Sequence, residues 1–378
     1  MEHSTLERSA VRAAAGRAAD AASSTDRIRA VLDLARWAPS GDNTQPWRFE
    51  IVSGSHAVVH GFDTRDHCVY DLDGRPSRVS IGAMLETLRI AATTMGARAR
   101  CVLRTGSPET APKIDVWLDA DPGVRADALA ESITTRCVNR RPLATKPLTA
   151  AQRMALEESV GPSFEVVWLA SPAQRRRVAG LTFRSAHLRL TIEEAYRVHA
   201  SVIEWGTRTS PDRIPDAALG LDAMSVALMK WVMASWPRTR FVSRWLGGTL
   251  LPRIQLDLLP GILCGAHVLI LARSGGGGVD DDLRAGAAVQ RFWLTADRLG
   301  LQHQPEMTPL IFSRYSDTGR VFSADPSAAP AAAEIRTRLA GIVGEGRLAR
   351  AVWLGRIGAG ERASARSLRV PLEELLVR

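Results

Sequence analysis

The stretch from Ala35 to Val52, ARWAPSGDNTQPWRFEIV, gathers Ser40, Asp42, Asn43, Thr44 and Gln45 into one loop. It holds no Cys, His or Lys that could act as nucleophile or base. Its chemistry is therefore that of holding something polar and flat through hydrogen bonds. Metal chemistry has little support: His187, His199 and His303, taken with Cys264, match no zinc-ligand spacing, and no metal site is expected. Gly275 to Gly278 lacks both the Gly-x-Gly-x-x-Gly spacing and a Gly-Lys-Ser/Thr ending, so it reads as a turn rather than a phosphate cradle.

The elements that must position this loop are legible from periodicity. Thr25 is a candidate N-cap, and Ile28, Val31, Leu32 and Ala35 follow at helical spacing. A second helix is expected from about Ser80 to Met95, with Gly96 placed for a left-handed cap. ARCVLR and IDVWLD then read as strands. GILCGAHVLILA (Gly261 to Ala272) is the most apolar run, yet it is shorter than the roughly 18 residues that would cross a bilayer. A buried strand is expected there. Trp47 is expected to anchor the core beside the polar loop.

The chain also contains itself twice. GAMLETLRIAATTMG (Gly82 to Gly96) and GAAVQRFWLTADRLG (Gly286 to Gly300) align at a separation of 204 positions, with both glycines coincident. The first copy runs helix, APS, an eight-residue polar insert, then FEIV; the second runs helix, GPS, then FEVVWL directly. Conversely, TTRCVNRRPLATKPL (Thr134 to Leu148) precedes the second copy and has no counterpart in the first. Complementary losses of this kind suggest a symmetric dimer fused into one chain, in which one composite site has survived. Expected boundaries are a flexible arm at 1–25, a first half at 26–128 and a second half at 129–378. The second half carries a helical insert at about 170–260 whose Met and Trp residues read as core fillers.

At 378 residues, 46% hydrophobic and 24% charged, the chain is long enough for two packed units. The net charge of +9 suits phosphate-bearing ligands, but no clustered basic face or known module points to nucleic acid. Four scattered cysteines without a Cys-x-x-Cys pair read as buried free thiols in a reducing compartment. The first residues lack the apolar stretch of a secretory signal. A cytoplasmic location is expected, with a small-molecule substrate and neither a nucleic acid nor a membrane as partner.

Taken together, APSGDNTQPW, RCVNR, GLQHQP and SLRVPLEELL resemble the FMN-dependent nitroreductase superfamily, in particular its single-chain, pseudo-dimeric Acg-type branch. The resemblance covers about Ser24 to Arg378, interrupted by the insert. It implies an α+β, nitroreductase-like fold of two tandem halves forming an intramolecular pseudo-dimer, with the insert as a lid. Further oligomerisation is not implied.

Carried over by motif, the resemblance implies that Arg136 and Arg140 pair with the FMN phosphate, and that Arg369, with Ser367 beside it, reaches the same phosphate. Pro39, Ser40, Gly41 and Asn43 would approach the isoalloxazine ring, while Gln302, His303, Gln304 and Pro305 would line its polar edge near N5. Val138 stands where the pattern has Ser, which removes one hydroxyl ligand for the phosphate. No side chain is expected to act as a catalytic acid or base, since the chemistry belongs to the flavin. The implied activity is an FMN-dependent oxidoreductase using NADH or NADPH to reduce a nitroaromatic or quinone-like acceptor, or to carry out a specialised metabolite redox step. The alternative from another class is a flavin-sequestering protein whose lid leaves no room for a nicotinamide.

Overall fold

The computed structural model describes residues 24–274 and 277–377. The expected flexible arm lies almost wholly outside the described residues, as do Gly275 and Gly276 of the expected turn. The architecture is α+β, with helices packed against two antiparallel sheets.

Helix α1 (Ser24–Ala35) buries the predicted face of Ile28, Val31, Leu32 and Ala35. After the polar loop come β1 (Trp47–Ser53) and β2 (His56–Gly61), helix α2 (Arg75–Thr93), β3 (Ala97–Leu103) and β4 (Lys113–Ala120). Helix α2 begins earlier than its apolar pattern predicts: Pro76 fits the first turn, and Gly74, at φ 68°, sets the entry in a conformation that favours glycine. Gly96 takes the expected left-handed position at φ 65°. Trp47 is fully buried beside Phe49, as its place next to the loop predicts.

The second set starts with α3 (Ala150–Ser159), closed by a capping box between Thr149 and Gln152. Strand β5 (Phe164–Leu169) leads into the insert, where α4 (Pro172–Thr191) and α5 (Glu193–Val202) break at Ile192, whose backbone is extended. Helices α6 (Ala223–Val232) and α7 (Trp236–Trp245) follow. The chain then returns through β6 (Ala266–Ala272), α8 (Val279–Arg298), β7 (Leu301–Pro305), α9 (Thr308–Asp317), α10 (Ala328–Val343) and β8 (Ala351–Ala359). Strand β6 is buried, as its composition predicts.

Each sheet has four strands, ordered β1-β2-β4-β3 and β5-β6-β8-β7. Both follow the order first, second, fourth, third, and every pairing is antiparallel. Helices α2 and α8 join the two sets. A Cβ on Gly82 would stand 2.1 Å from the Leu283 carbonyl oxygen, and one on Gly286 would stand 2.0 Å from that of Val79. The contact is reciprocal at a separation of 204 positions, and so are the polar pairs along it. Arg291 bonds Glu86 (2.9 Å), and Gln290 Nε2 donates to Thr87 Oγ1 (2.8 Å).

The last residues cross to the first sheet. Leu376 forms a parallel bridge with Phe49, the Val377 amide donates to the Phe49 carbonyl (2.7 Å), and Leu372 and Leu375 enter the core beneath β1. Just upstream, Arg366–Ser367 pairs in parallel with Thr209–Ser210 of the insert.

Two expectations need correction. Cys68 and Cys264 are buried free thiols, but Cys101 and Cys137 are only partly buried. Trp231 and Trp245 are exposed rather than core fillers, because the outer faces of α6 and α7 have no element packed over them. Trp236 does pack, with its ring 5.4 Å from that of Tyr196. Among the described residues no helix is long and apolar enough to cross a membrane, and no group of three or more His, Cys, Asp or Glu could hold a metal ion.

Candidate functional site

A cavity of about 400 Å³ lies where the polar loop, the segment before α2, residues 136–140, the insert, β7 and the C-terminal segment converge. Its size falls in the range of cofactor and substrate pockets.

The floor is the loop. Asp42 (φ 50°), Asn43 (φ 63°) and Gln45 (φ 49°) are all left-handed, which is costly for residues other than glycine and persists only where neighbours enforce it. Those neighbours are identifiable. The Gln45 amide nitrogen donates to Ser40 Oγ (3.0 Å), and Gln45 Oε1 accepts from the Val370 amide (3.0 Å). The Asn43 and Gln45 side-chain amides both donate to the Pro211 carbonyl of the insert, at 3.1 and 2.9 Å. The loop is thus clamped between the insert and the C-terminal segment. Asn43 Oδ1 remains buried without a partner, and such an acceptor is costly unless a donor reaches it.

One end of the cavity is strongly positive. Arg136, Arg366 and Arg369 lie within each other's fields, and Arg36 adds to that around Arg369. Arg136 and Arg369 are buried and form no ion pair among the described residues. Arg136 donates to the Trp37 carbonyl (3.0 Å) and lies 4.5 Å from the Trp293 ring centroid. Arg369 Nε donates to the Ala38 carbonyl (2.9 Å). Burial, then mutual repulsion, pushes Arg136 down to about 10 and Arg369 well below the usual range. Buried cations without counter-ions are a standing cost that a bound anion relieves. Ser367 also lines the cavity, its hydroxyl donating to the Arg213 carbonyl (2.9 Å).

Arg140 belongs to a different neighbourhood. It lines the same cavity but lies in the fields of Asp42, Arg189 and Arg356, and its Nη1 donates to the Ala218 carbonyl (3.1 Å). Burial first, and then the repulsion of Arg189 and Arg356, holds it down to about 10 despite Asp42. Burial in turn raises Asp42, a shift that Arg140 and Arg189 oppose. Close by, the Tyr70 hydroxyl and His199 Nε2 are 3.0 Å apart, and Arg189 holds Asp257 at 3.0 Å. Burial, followed by the Arg189 charge, pushes His199 down to about 3, so the pair is a neutral phenol beside a neutral imidazole.

Pro39, Ser40, Gly41, Asn43, Arg136, Arg140, Gln304, Pro305, Ser367 and Arg369 all face this one cavity. Gln302 and His303 do not. Gln302 Oε1 turns to Asn139 (3.3 Å), while His303 is packed among Phe292, Trp293 and Trp353 and bonds Trp353 Nε1 (3.1 Å). His303 lies in the buried first part of β7, where burial holds it down to about 3. The Gln304 Oε1 atom is buried without a partner. Asp42 belongs to the loop motif but was given no role, and residues that the motifs did not supply include Tyr70, Arg189, His199 and Arg366. Arg366 is next to Ser367 and could have been read with it; Tyr70, Arg189 and His199 belong to no motif.

No family model matches the chain. The chain is 29% identical over 206 residues to the putative NAD(P)H nitroreductase acg of Mycobacterium tuberculosis (strain ATCC 25618 / H37Rv), covering 52% of this chain and 59% of that protein. It is 49% identical over 63 residues to the uncharacterized protein Rv3127 of the same strain, which is 16% of this chain and 18% of the relative. Against the uncharacterized protein MT1398 of Mycobacterium tuberculosis (strain CDC 1551 / Oshkosh) it is 23% identical over 288 residues, 75% of this chain and 39% of the relative. Each match spans less than two thirds of the relative's own length.

Proposed function

We propose that the cavity holds FMN and that the protein is an oxidoreductase that uses NADH or NADPH to reduce a small acceptor. The observation that carries this reading is the meeting of Arg136 and Arg369, buried and without counter-ions, at one end of a cavity floored by a strained polar loop. A phosphate supplies the missing negative charge. The partnerless acceptors Asn43 Oδ1 and Gln304 Oε1 suit a ligand carrying N–H and O–H donors. The distant likeness to a putative NAD(P)H nitroreductase supports the same reaction class.

On this reading Arg136, Arg366 and Arg369 hold the phosphate, while Pro39, Ser40, Gly41, Asn43, Gln304 and Pro305 hold the ring. This reassigns Arg140, whose neighbours are Asp42 and Arg189: it supplies positive charge that favours electron uptake by the ring. Bound FMN supplies the hydride chemistry between nicotinamide and acceptor. Ile214, Leu219, Met229 and Met233 of the insert exclude water from that chemistry. Tyr70, hydrogen-bonded to His199, offers a neutral hydroxyl to an acceptor oxygen. Two like halves fused in one chain account for the shared strand order and the reciprocal contact of Gly82 and Gly286. The Acg-type branch is the assignment this supports.

That apolar wall also favours a second reading, in which the insert closes over the flavin and no nicotinamide enters. The absorbance spectrum of the purified chain, before and after added FMN, tests the cofactor. Protein that stays colourless and takes up no FMN overturns both readings. If NADPH bleaches the yellow protein anaerobically within seconds, the reductase reading holds; bleaching by dithionite alone leaves sequestration.

A further inference from the structure

The insert carries an outer surface that the cavity does not use. Ten of the fifteen large apolar side chains exposed among the described residues lie between Met224 and Leu263. On α6, Met224 (79% exposed), Leu228 and Trp231 (54%) fall at i, i+4 and i+7 and form one stripe. On α7, Phe241 and Trp245 (69%) are exposed, as is Leu246 just after it. The opposite side of α6 is already occupied, since Met229 and Met233 line the cavity.

The charge of this segment is one-sided. Between Asp222, the N-cap of α6, and Asp257, which is paired with Arg189, the sequence has Lys230, Arg238, Arg240, Arg244 and Arg253, and no Asp or Glu. The Arg238 guanidinium lies 4.7 Å from the Trp231 ring centroid, and that of Arg244 lies 5.8 Å from the Trp245 ring centroid. Asp325 is the acid whose field reaches Arg240 and Arg244, and it already accepts from Ser327, so the face stays net positive. Exposed indole and aliphatic groups bordered by arginines are what an interfacial helix presents to lipid headgroups.

We propose that the outer face of α6 and α7 docks on the surface of an anionic lipid bilayer. The arginines lie against the headgroups and the tryptophans at the acyl boundary. This revises the expectation of no membrane partner, which rested on the lack of a spanning segment. A second copy of the chain is the poorer occupant, because a contact of this face with itself would bring two net-positive surfaces together. The inference does not depend on FMN.

Flotation of the purified chain with vesicles tests it. The protein is expected to float with phosphatidylglycerol/phosphatidylcholine vesicles at low salt, to be released by high salt, and to stay behind with phosphatidylcholine alone. R240E/R244E and F241S/W245S should each lower the partition constant at least about tenfold with an unchanged melting temperature, since these side chains are exposed. The proposal is overturned if wild type ignores anionic vesicles, or if neither double variant weakens binding. It is also overturned if sedimentation equilibrium finds a dimer that F241S/W245S dissociates while no vesicle is bound.

Discussion

At the scale of single residues, the buried guanidinium groups and the buried imidazole make opposite demands. Arg136 and Arg369 lack an ion-pair partner among the described residues, so on the proposed reading removing either should cost FMN affinity more than fold. R136A or R369A is expected to weaken FMN binding about 10- to 100-fold, the range of one or two charge-assisted hydrogen bonds. Fluorescence titration with free FMN measures this, and unchanged affinity in both variants would remove the phosphate assignment. His303 instead stays neutral when folded, its pKa pushed down to about 3 against 6.5 for the free side chain. The unfolded chain then binds a proton that the folded chain refuses, so stability falls as pH drops from about 6.5 toward 3. The ceiling is about 1.4 kcal/mol per pH unit. His303→Gln, which can still accept from Trp353 Nε1, should lose less stability than wild type between pH 7 and pH 5 in urea titrations. Parallel losses would show that His303 protonates in place.

At the scale of elements, the crossing of α2 and α8 has no room for a side chain. Gly286→Ala would drive a methyl into the Val79 carbonyl oxygen and should destabilise by about 2 kcal/mol or more. Gly341→Ala, in the exposed face of α10 with nothing within 4 Å, should instead be neutral or stabilising. Thermal unfolding of the two variants separates a packing requirement from a general effect of replacing glycine. Both crossing glycines were visible in the sequence as the first residues of the repeated segments, but that they touch was not, because periodicity reports a face and not its partner. Strands β3, β4 and β6 were legible because apolar composition and alternation are local, whereas β2 and β7 were not read as strands. The start of α2 was missed because Arg75 to Ser77 carry no apolar period, and the helix there rests on Pro76 and Gly74.

At the scale of the whole molecule, the motifs identified the loop, the arginines and the C-terminal segment, and all of these face one cavity. What they could not convey was the separation within it, with Arg136 and Arg369 at one end and Arg140 among Asp42 and Arg189 elsewhere. That depends on which charges the fold brings near: Asp42, Arg189 and Arg356 all lie far from Arg140 in the chain. His303 shows the converse, since a residue inside a motif can still be packed into the core by its aromatic neighbours.

The cluster of Arg136, Arg366 and Arg369 also bears on handling. Protein stripped of ligand holds like charges together with little solvent between them, and any multivalent anion that fits should shore it up. Sulfate or inorganic phosphate at millimolar levels should therefore raise the melting temperature of such protein in proportion to the logarithm of anion concentration, once that exceeds the dissociation constant. Saturating FMN should abolish the response. Buffer choice would then decide how stable the unliganded chain looks, and a phosphate buffer would conceal the very defect that FMN is proposed to relieve.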